Sequence, residues 1–221
     1  MNAIVNVNRS WGIGKDNKLL CHIKEDMEFF KYKTLGKIII YGNNTLKSFP
    51  KKAPLYGRLN IVISRDINNI LQESKDRSEF CWNTNILYKD IKKVFHTTRL
   101  FLHSTSNLKN PILLYADSIE KAVELSRNMA DDEDIFVCGG ESIYKQMMPY
   151  IDKVFVTKNE LDKEADSFFP NLDEEKDKNG KNEWIITNVK SIISNSGDLL
   201  EFLTYVRRNK FIDDTIIKEM K

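Results

Sequence analysis

The chain has 221 residues, 41% of them hydrophobic, enough to bury one substantial core, and no shift in composition forces a second domain. Its 34 Lys and Arg against 32 Asp and Glu leave a net charge of +2, which excludes a nucleic-acid-scale electrostatic footprint in the total. Cys21, Cys81 and Cys138 form no C-x-x-C pair, His22, His96 and His103 no metal-ligand spacing, and no apolar run is long enough to span a bilayer; a cytoplasmic thiol protein without metal is expected.

Short β-branched runs alternate with helical periodicity. Strands are expected at 3–7, 37–41, 59–64, 112–115, 135–138 and 153–157, and helices at 25–34, 44–48, 118–129 and 141–148. The runs KIIIY and NIVIS lack polar alternation, which fits central strands covered on both faces of a parallel sheet. WIITNVKSIIS, the turn NSGD and LLEFLTYVRR then read as an antiparallel hairpin. The expected fold is α/β and single-domain, a mostly parallel central sheet flanked by helices, spanning 1–208. Residues 68–110, polar with one amphipathic stretch, read as an insertion, and 209–221 as a tail.

In the first helix, HIKEDMEFFKY, the residues Ile23, Met27 and Phe30 share an apolar face that Asp26 borders. A carboxylate against apolar groups stays ionised only where donors reach it, and an aminopterin ring offers two adjacent N–H groups; a first-turn aspartate serving the helix dipole is the plainer alternative. KIIIY runs into Gly42, Asn43, Asn44 and Thr45, and DIFVC into Gly139, Gly140, Glu141 and Ser142. Both are strand-to-helix turns whose N–H groups suit a phosphate, and taken singly each serves equally as an ordinary helix cap or tight turn. Arg58, ahead of the third strand, suits a bidentate carboxylate clamp or a solvated turn, and Arg65, at that strand's exit, an extra cofactor phosphate or solvent. Asp166 in EADSFFP has the form of a loop carboxylate.

The order of these segments resembles the dihydrofolate reductase family from the N-terminus to about Arg208, interrupted at 68–110. WGIGKDNKLL resembles its mobile active-site loop, EDMEFFK its acidic helix, YGNNTLKS its first cofactor turn, and PLYGRLNIVISR its glutamate-binding and ribose-phosphate segment; VCGGESIYKQMMP, VFVTKNE and ADSFFP complete the series. The resemblance implies NADPH-dependent reduction of dihydrofolate to tetrahydrofolate in one-carbon metabolism, with C4 of the nicotinamide over C6 of the pterin and water as the source of the N5 proton. It implies that Asp26 grips the pterin with Thr157 as hydroxyl partner, and that Tyr144 and Cys138 border nicotinamide and pterin. Ile4, Val5, Met27, Phe30 and Leu55 would complete the substrate site, and Arg58 would hold the glutamate tail. Cofactor contacts are implied at Asn6, Ile13, Gly14 and Leu19, at Gly42, Asn43, Asn44 and Thr45, at Ser64 and Arg65, and from Gly139 and Gly140 through Glu141, Ser142 and Ile143. Asp166 takes the place of a loop-locking carboxylate.

Three positions depart from the family pattern: Cys21 where a tryptophan is common, Asn43 where an arginine often meets the cofactor phosphate, and Asn6 where a small apolar residue is usual near the pterin. These bear on rate, NADPH affinity and inhibitor profile. The rival functions are a pyrimidine reductase of riboflavin synthesis, against which Asp26 and Arg58 speak, and a catalytically impaired nucleotide-binding homologue, which the retained Asp26, Thr157, Gly139 and Gly140 oppose. The expected partners are small molecules, dihydrofolate as substrate and antifolates as inhibitors, with no nucleic acid or membrane, and a monomeric or homodimeric state.

Overall fold

The computed structural model describes residues 1–65 and 112–209. The 68–110 segment and all but the first residue of the 209–221 tail lie outside the described residues. Eight strands form one sheet. β1 (Asn2–Val7), β4 (Ile38–Gly42), β5 (Leu59–Ile63), β6 (Ile112–Ala116), β7 (Ile135–Val137) and β8 (Lys153–Asn159) run parallel, and β10 (Trp184–Ile193) and β11 (Leu199–Arg207) add an antiparallel hairpin, giving the order β10-β11-β8-β1-β7-β4-β5-β6. Helices α1 (Lys24–Thr34), α2 (Asn43–Ser48), α3 (Ile119–Arg127) and α4 (Glu141–Met147) complete the frame.

The burial pattern explains the parallel core. Every residue of β4 is buried, because successive side chains go to opposite faces and both faces are covered. Ile38 and Ile40 join a cluster with Val123 of α3 and Met147 of α4, while Ile39 and Tyr41 join one with Phe29 and Phe30 of α1 and Leu46 of α2. The sheet therefore lies between two helical layers, and its edge beyond β8 is closed by the hairpin, where Gly197 takes a positive φ of 90° in the connecting turn. Expected and observed boundaries differ by one to two residues at most ends: Lys37, Ser64 and Cys138 fall just outside their strands, and β8 runs on to Asn159.

A second, small sheet of β2 (Gly12–Lys15), β3 (Lys18–Leu19) and β9 (Ser167–Phe168) was not expected. The segment expected as a loop at its N-terminal end is a hairpin whose turn residues Asp16 and Asn17 take positive φ values of 53° and 58°, the conformation that a tight two-residue turn demands. It is docked on the 160s: Asp166 N donates to Gly14 O at 3.0 Å, and Asp166 Oδ2 accepts from Asp16 N at 2.8 Å.

Candidate active site

Parallel strands that feed helices on both faces leave their carboxyl ends open, and ligands bind in the crevice there. In this protein the ends of β4, β5 and β7 open into a cavity of about 1450 Å³, which is also bounded by β1, α1 and the small sheet. β4 and β7 are neighbours, so their strand-to-helix turns lie side by side: Cys138 N donates to Ile40 O and Gly42 N to Gly139 O, each at 2.8 Å.

That double turn brings together Gly42, Asn43, Asn44 and Thr45 with Gly139, Gly140, Glu141, Ser142 and Ile143, all on the cavity wall. No side chain caps α2 or α4, whereas the Ser118 hydroxyl already caps α3. The first-turn N–H groups of α2 and α4 therefore remain available to an anion. The close approach depends on absent Cβ atoms. One added at Gly42 would lie 3.0 Å from Ile143 Cγ1, and one at Gly139, where φ is +107°, would lie 3.0 Å from the Tyr144 ring. Ser64 and the exposed Arg65 stand at the end of β5 on the same wall. Arg65 has no ion pair among the described residues.

Asp26 lies at the other side of the cavity, on the first turn of α1. It keeps a partial opening to the cavity yet is surrounded by protein, and this loss of hydration pushes its pKa above the ordinary carboxylate value of 3.8, with Thr157 and Asn6 pulling the other way. Thr157 is buried behind it at 1% exposure and does not line the cavity; Asp166 also lies off the wall, in the anchor of the small sheet. The apolar face of α1 read from the sequence is shared between core and cavity: Ile23 is buried in the core, Phe30 packs against the core and also lines the cavity, and Met27 lines it with 41% of its surface exposed, as does Leu19 of β3 at 44%. Ile4, Val5, Ile13, Gly14 and Leu55 share this wall.

Arg58 is not the solvated turn arginine that its sequence position allowed. It is 8% exposed, its Nε donates to Thr34 Oγ1 and its Nη1 to Tyr56 O, each at 2.8 Å, and its guanidinium sits 5.6 Å from the Phe30 ring centroid. Burial lowers its pKa, but a guanidinium in a protein stays charged. Among the described residues no carboxylate pairs with it. A buried cation that also lines the cavity suits an anion there, because leaving it unpaired is costly. Tyr144 borders the cavity with its hydroxyl committed to Ile4 O at 2.7 Å, and burial pushes its pKa well up, so it acts as a fixed neutral donor to the backbone. Cys138 also lines the cavity, and burial raises its thiol likewise. Asn6 lines the wall, but its amide oxygen is already engaged by Asn159 and Cys21.

Several wall residues escaped the sequence reading. Phe49 and Pro50 follow α2, Asn17 is hydrogen-bonded to Asn44 across the cavity mouth at 3.1 Å, and Ser118 and Ile119 begin α3. The last pair had a visible signal, since YADSI is a third strand-to-helix junction of the same form.

The family model described as dihydrofolate reductase matches the chain over residues 1–93 and 88–206. The chain is 31% identical over 170 residues to the dihydrofolate reductase of Staphylococcus haemolyticus, covering 77% of this chain and 76% of that protein. It is 33% identical over 161 residues to the dihydrofolate reductase of Neisseria meningitidis serogroup A, covering 73% of each. With the dihydrofolate reductase type 9 of Escherichia coli it shares 27% identity over 170 residues, 76% of this chain and 74% of that protein.

Proposed function

Since the chain belongs to the dihydrofolate reductase family, we propose that it reduces dihydrofolate to tetrahydrofolate, with NADPH as the hydride donor and pterin C6 as the acceptor. The observation that carries this reading is the pairing, in one cavity, of a desolvated carboxylate at Asp26 with a buried guanidinium at Arg58 that no carboxylate among the described residues meets. Dihydrofolate has the complementary ends: adjacent N–H donors on the pterin and a carboxylate on the glutamate tail.

The residues present fit the cofactor. Two uncapped helix starts meet beside Gly42 and Gly139, where an added Cβ would crowd Ile143 and Tyr144, which suits a pyrophosphate approached by backbone, and Arg65, without an ion pair among the described residues, stands at the end of β5 for a 2′-phosphate. Bound there, NADPH supplies the hydride. The chain does the rest by positioning and electrostatics. Asp26 accepts the two pterin N–H donors and, as an anion, favours the protonated, more electrophilic ring. Met27, Phe30, Leu19 and Leu55 supply apolar surface to the ring and the benzoyl group. Arg58 fixes the distal carboxylate through its free edge. The hairpin β2–β3, held by Asp166, covers the cavity mouth and limits water, while a single water delivers the N5 proton, because Asp26 is occupied by the opposite edge of the ring.

The test is loss of NADPH absorbance with and without dihydrofolate. Consumption that depends on dihydrofolate supports the reading; consumption that ignores it, or none at all, overturns it.

A further inference from the structure

On the side where α1 packs, two buried polar atoms of the sheet, Nδ2 of Asn6 and Oγ1 of Thr157, make no hydrogen bond of full geometry among the described residues, yet both residues are near enough to Asp26 to act on its charge. Asn6 and Thr157 are register partners in the parallel pair β1–β8, so their side chains emerge beside each other on one face. That face is the one carrying Ile4, two residues before Asn6, which packs with Phe29 and Phe30 of α1. Asp26 precedes those two phenylalanines by three and four residues, one helical turn. Two such groups under one carboxylate are unusual, since buried polar atoms normally find partners.

The direction of the Asn6 amide is fixed by its neighbours. Asn159 Nδ2 donates to Val7 O at 3.0 Å and Asn159 Oδ1 accepts from Leu161 N at 3.1 Å, so two backbone groups of opposite character leave its amide a single orientation. The same Nδ2 donates to Asn6 Oδ1 at 2.6 Å, and the Cys21 thiol contacts that oxygen at 3.5 Å. With its oxygen taken by donors, Asn6 must present Nδ2 on the other side.

We propose that Asn6 is a positioning residue of the carboxylate site: its Nδ2, aimed by Asn159, joins the Thr157 hydroxyl as a donor that holds Asp26 ionised and oriented. The departure at position 6 is thereby assigned to the acid, not to the cofactor. Among the described residues, the titratable groups whose shifts register the Asp26 charge are the Cys21 thiol, from the segment after β3, and the Tyr144 hydroxyl, from α4. Burial and that charge push Cys21 up to about 11, and burial raises Tyr144 further, so both are neutral where Asp26 titrates. Asn6 and Thr157 are the groups left to oppose the desolvation of Asp26.

This deepens the reading in which Asp26 grips the pterin, but its test uses the full chain without substrate or cofactor, so absence of reductase activity would leave it standing. The Asp26 carboxyl carbon and the Asn6 side-chain amide are followed by NMR through a pH titration. In the wild type the Asn6 amide resonances should move with the Asp26 midpoint. Asn6→Ala should shift that midpoint to higher pH, Asn6→Ser, which restores a donor, should shift it less, and Asn159→Ala should shift it in the same direction by freeing the Asn6 amide. An Asn6 amide blind to Asp26 titration overturns the proposal, and this wild-type result decides the matter if a variant fails to fold. An unchanged Asp26 midpoint in folded Asn6→Ala overturns it equally.

Discussion

A carboxylate whose pKa is raised in the folded protein stabilises the fold only at low pH. For Asp26 that contribution is complete below its unfolded value of 3.8 and is lost as pH rises through the higher folded value. At neutral pH the ionised form is therefore a burden to the fold that its function maintains. Asp26→Asn is expected to raise Tm at pH 7, leave NADPH binding intact, and lower turnover by about a hundredfold or more, since the amide cannot balance a protonated pterin. Thermal denaturation and steady-state kinetics on one preparation check both halves. Arg58→Leu removes a charge-assisted contact worth roughly 1.5–3 kcal/mol, so KM for dihydrofolate should rise about ten- to a hundredfold with NADPH affinity nearly unchanged. Arg65→Ser should cut kcat/KM for NADPH by a similar factor while barely moving that for NADH; equal losses with both cofactors would make Arg65 structural. At this scale the sequence was legible in kind but not in setting. Asp26 and Arg58 are recognisable as an acid and a cation near apolar positions, yet a first-turn aspartate and a solvated arginine were the simpler readings of each. Only the burial of Arg58 against Thr34 and Phe30 separates the alternatives, and that burial depends on residues 24 and 28 positions away in the chain.

The elements divide by how locally they are determined. β4 and β5 announce themselves through the β-branched runs 38–40 and 61–63, because a strand covered on both faces is mostly apolar; the one polar residue of β5, Asn60, is buried and hydrogen-bonded to Tyr41 and Leu55. The small sheet does not. WGIGKDNKLL has no apolar alternation, and β2 and β3 exist because Gly12 and Gly14 let the chain pass within contact of Ala165 and Lys18, and because two residues of β9 supply the third strand. The Asp166 carboxylate, held below its usual pKa by the Asp16 N–H, is the polar fastening of that arrangement. Asp166→Ala should lower kcat several-fold with little change in Tm, since the residue is exposed and its loss frees the β2–β3 hairpin without opening the core. Amide hydrogen exchange of residues 12–20 in the variant gives the check: exchange as slow as in the wild type would remove Asp166 from the fastening.

For the whole molecule, the functional consequence of the fold lies in strand order. Placing β7 between β1 and β4 sets two phosphate-suited turns side by side, and placing β1 beside β8 brings Asn6 and Thr157 under the acid of α1. Strand order is invisible to periodicity, which reports that a segment is a strand and not which neighbour it takes, and the sequence reading accordingly stated none. What that arrangement is proposed to do is pass a hydride from the cofactor to the pterin. It is tested most directly by incubating the full chain with dihydrofolate and NADPH carrying deuterium at both C4 positions, then locating the label in the product by NMR. Tetrahydrofolate with one deuterium at C6 and none at N5 or C7 is expected; product without deuterium at C6, or no tetrahydrofolate, rules the hydride transfer out.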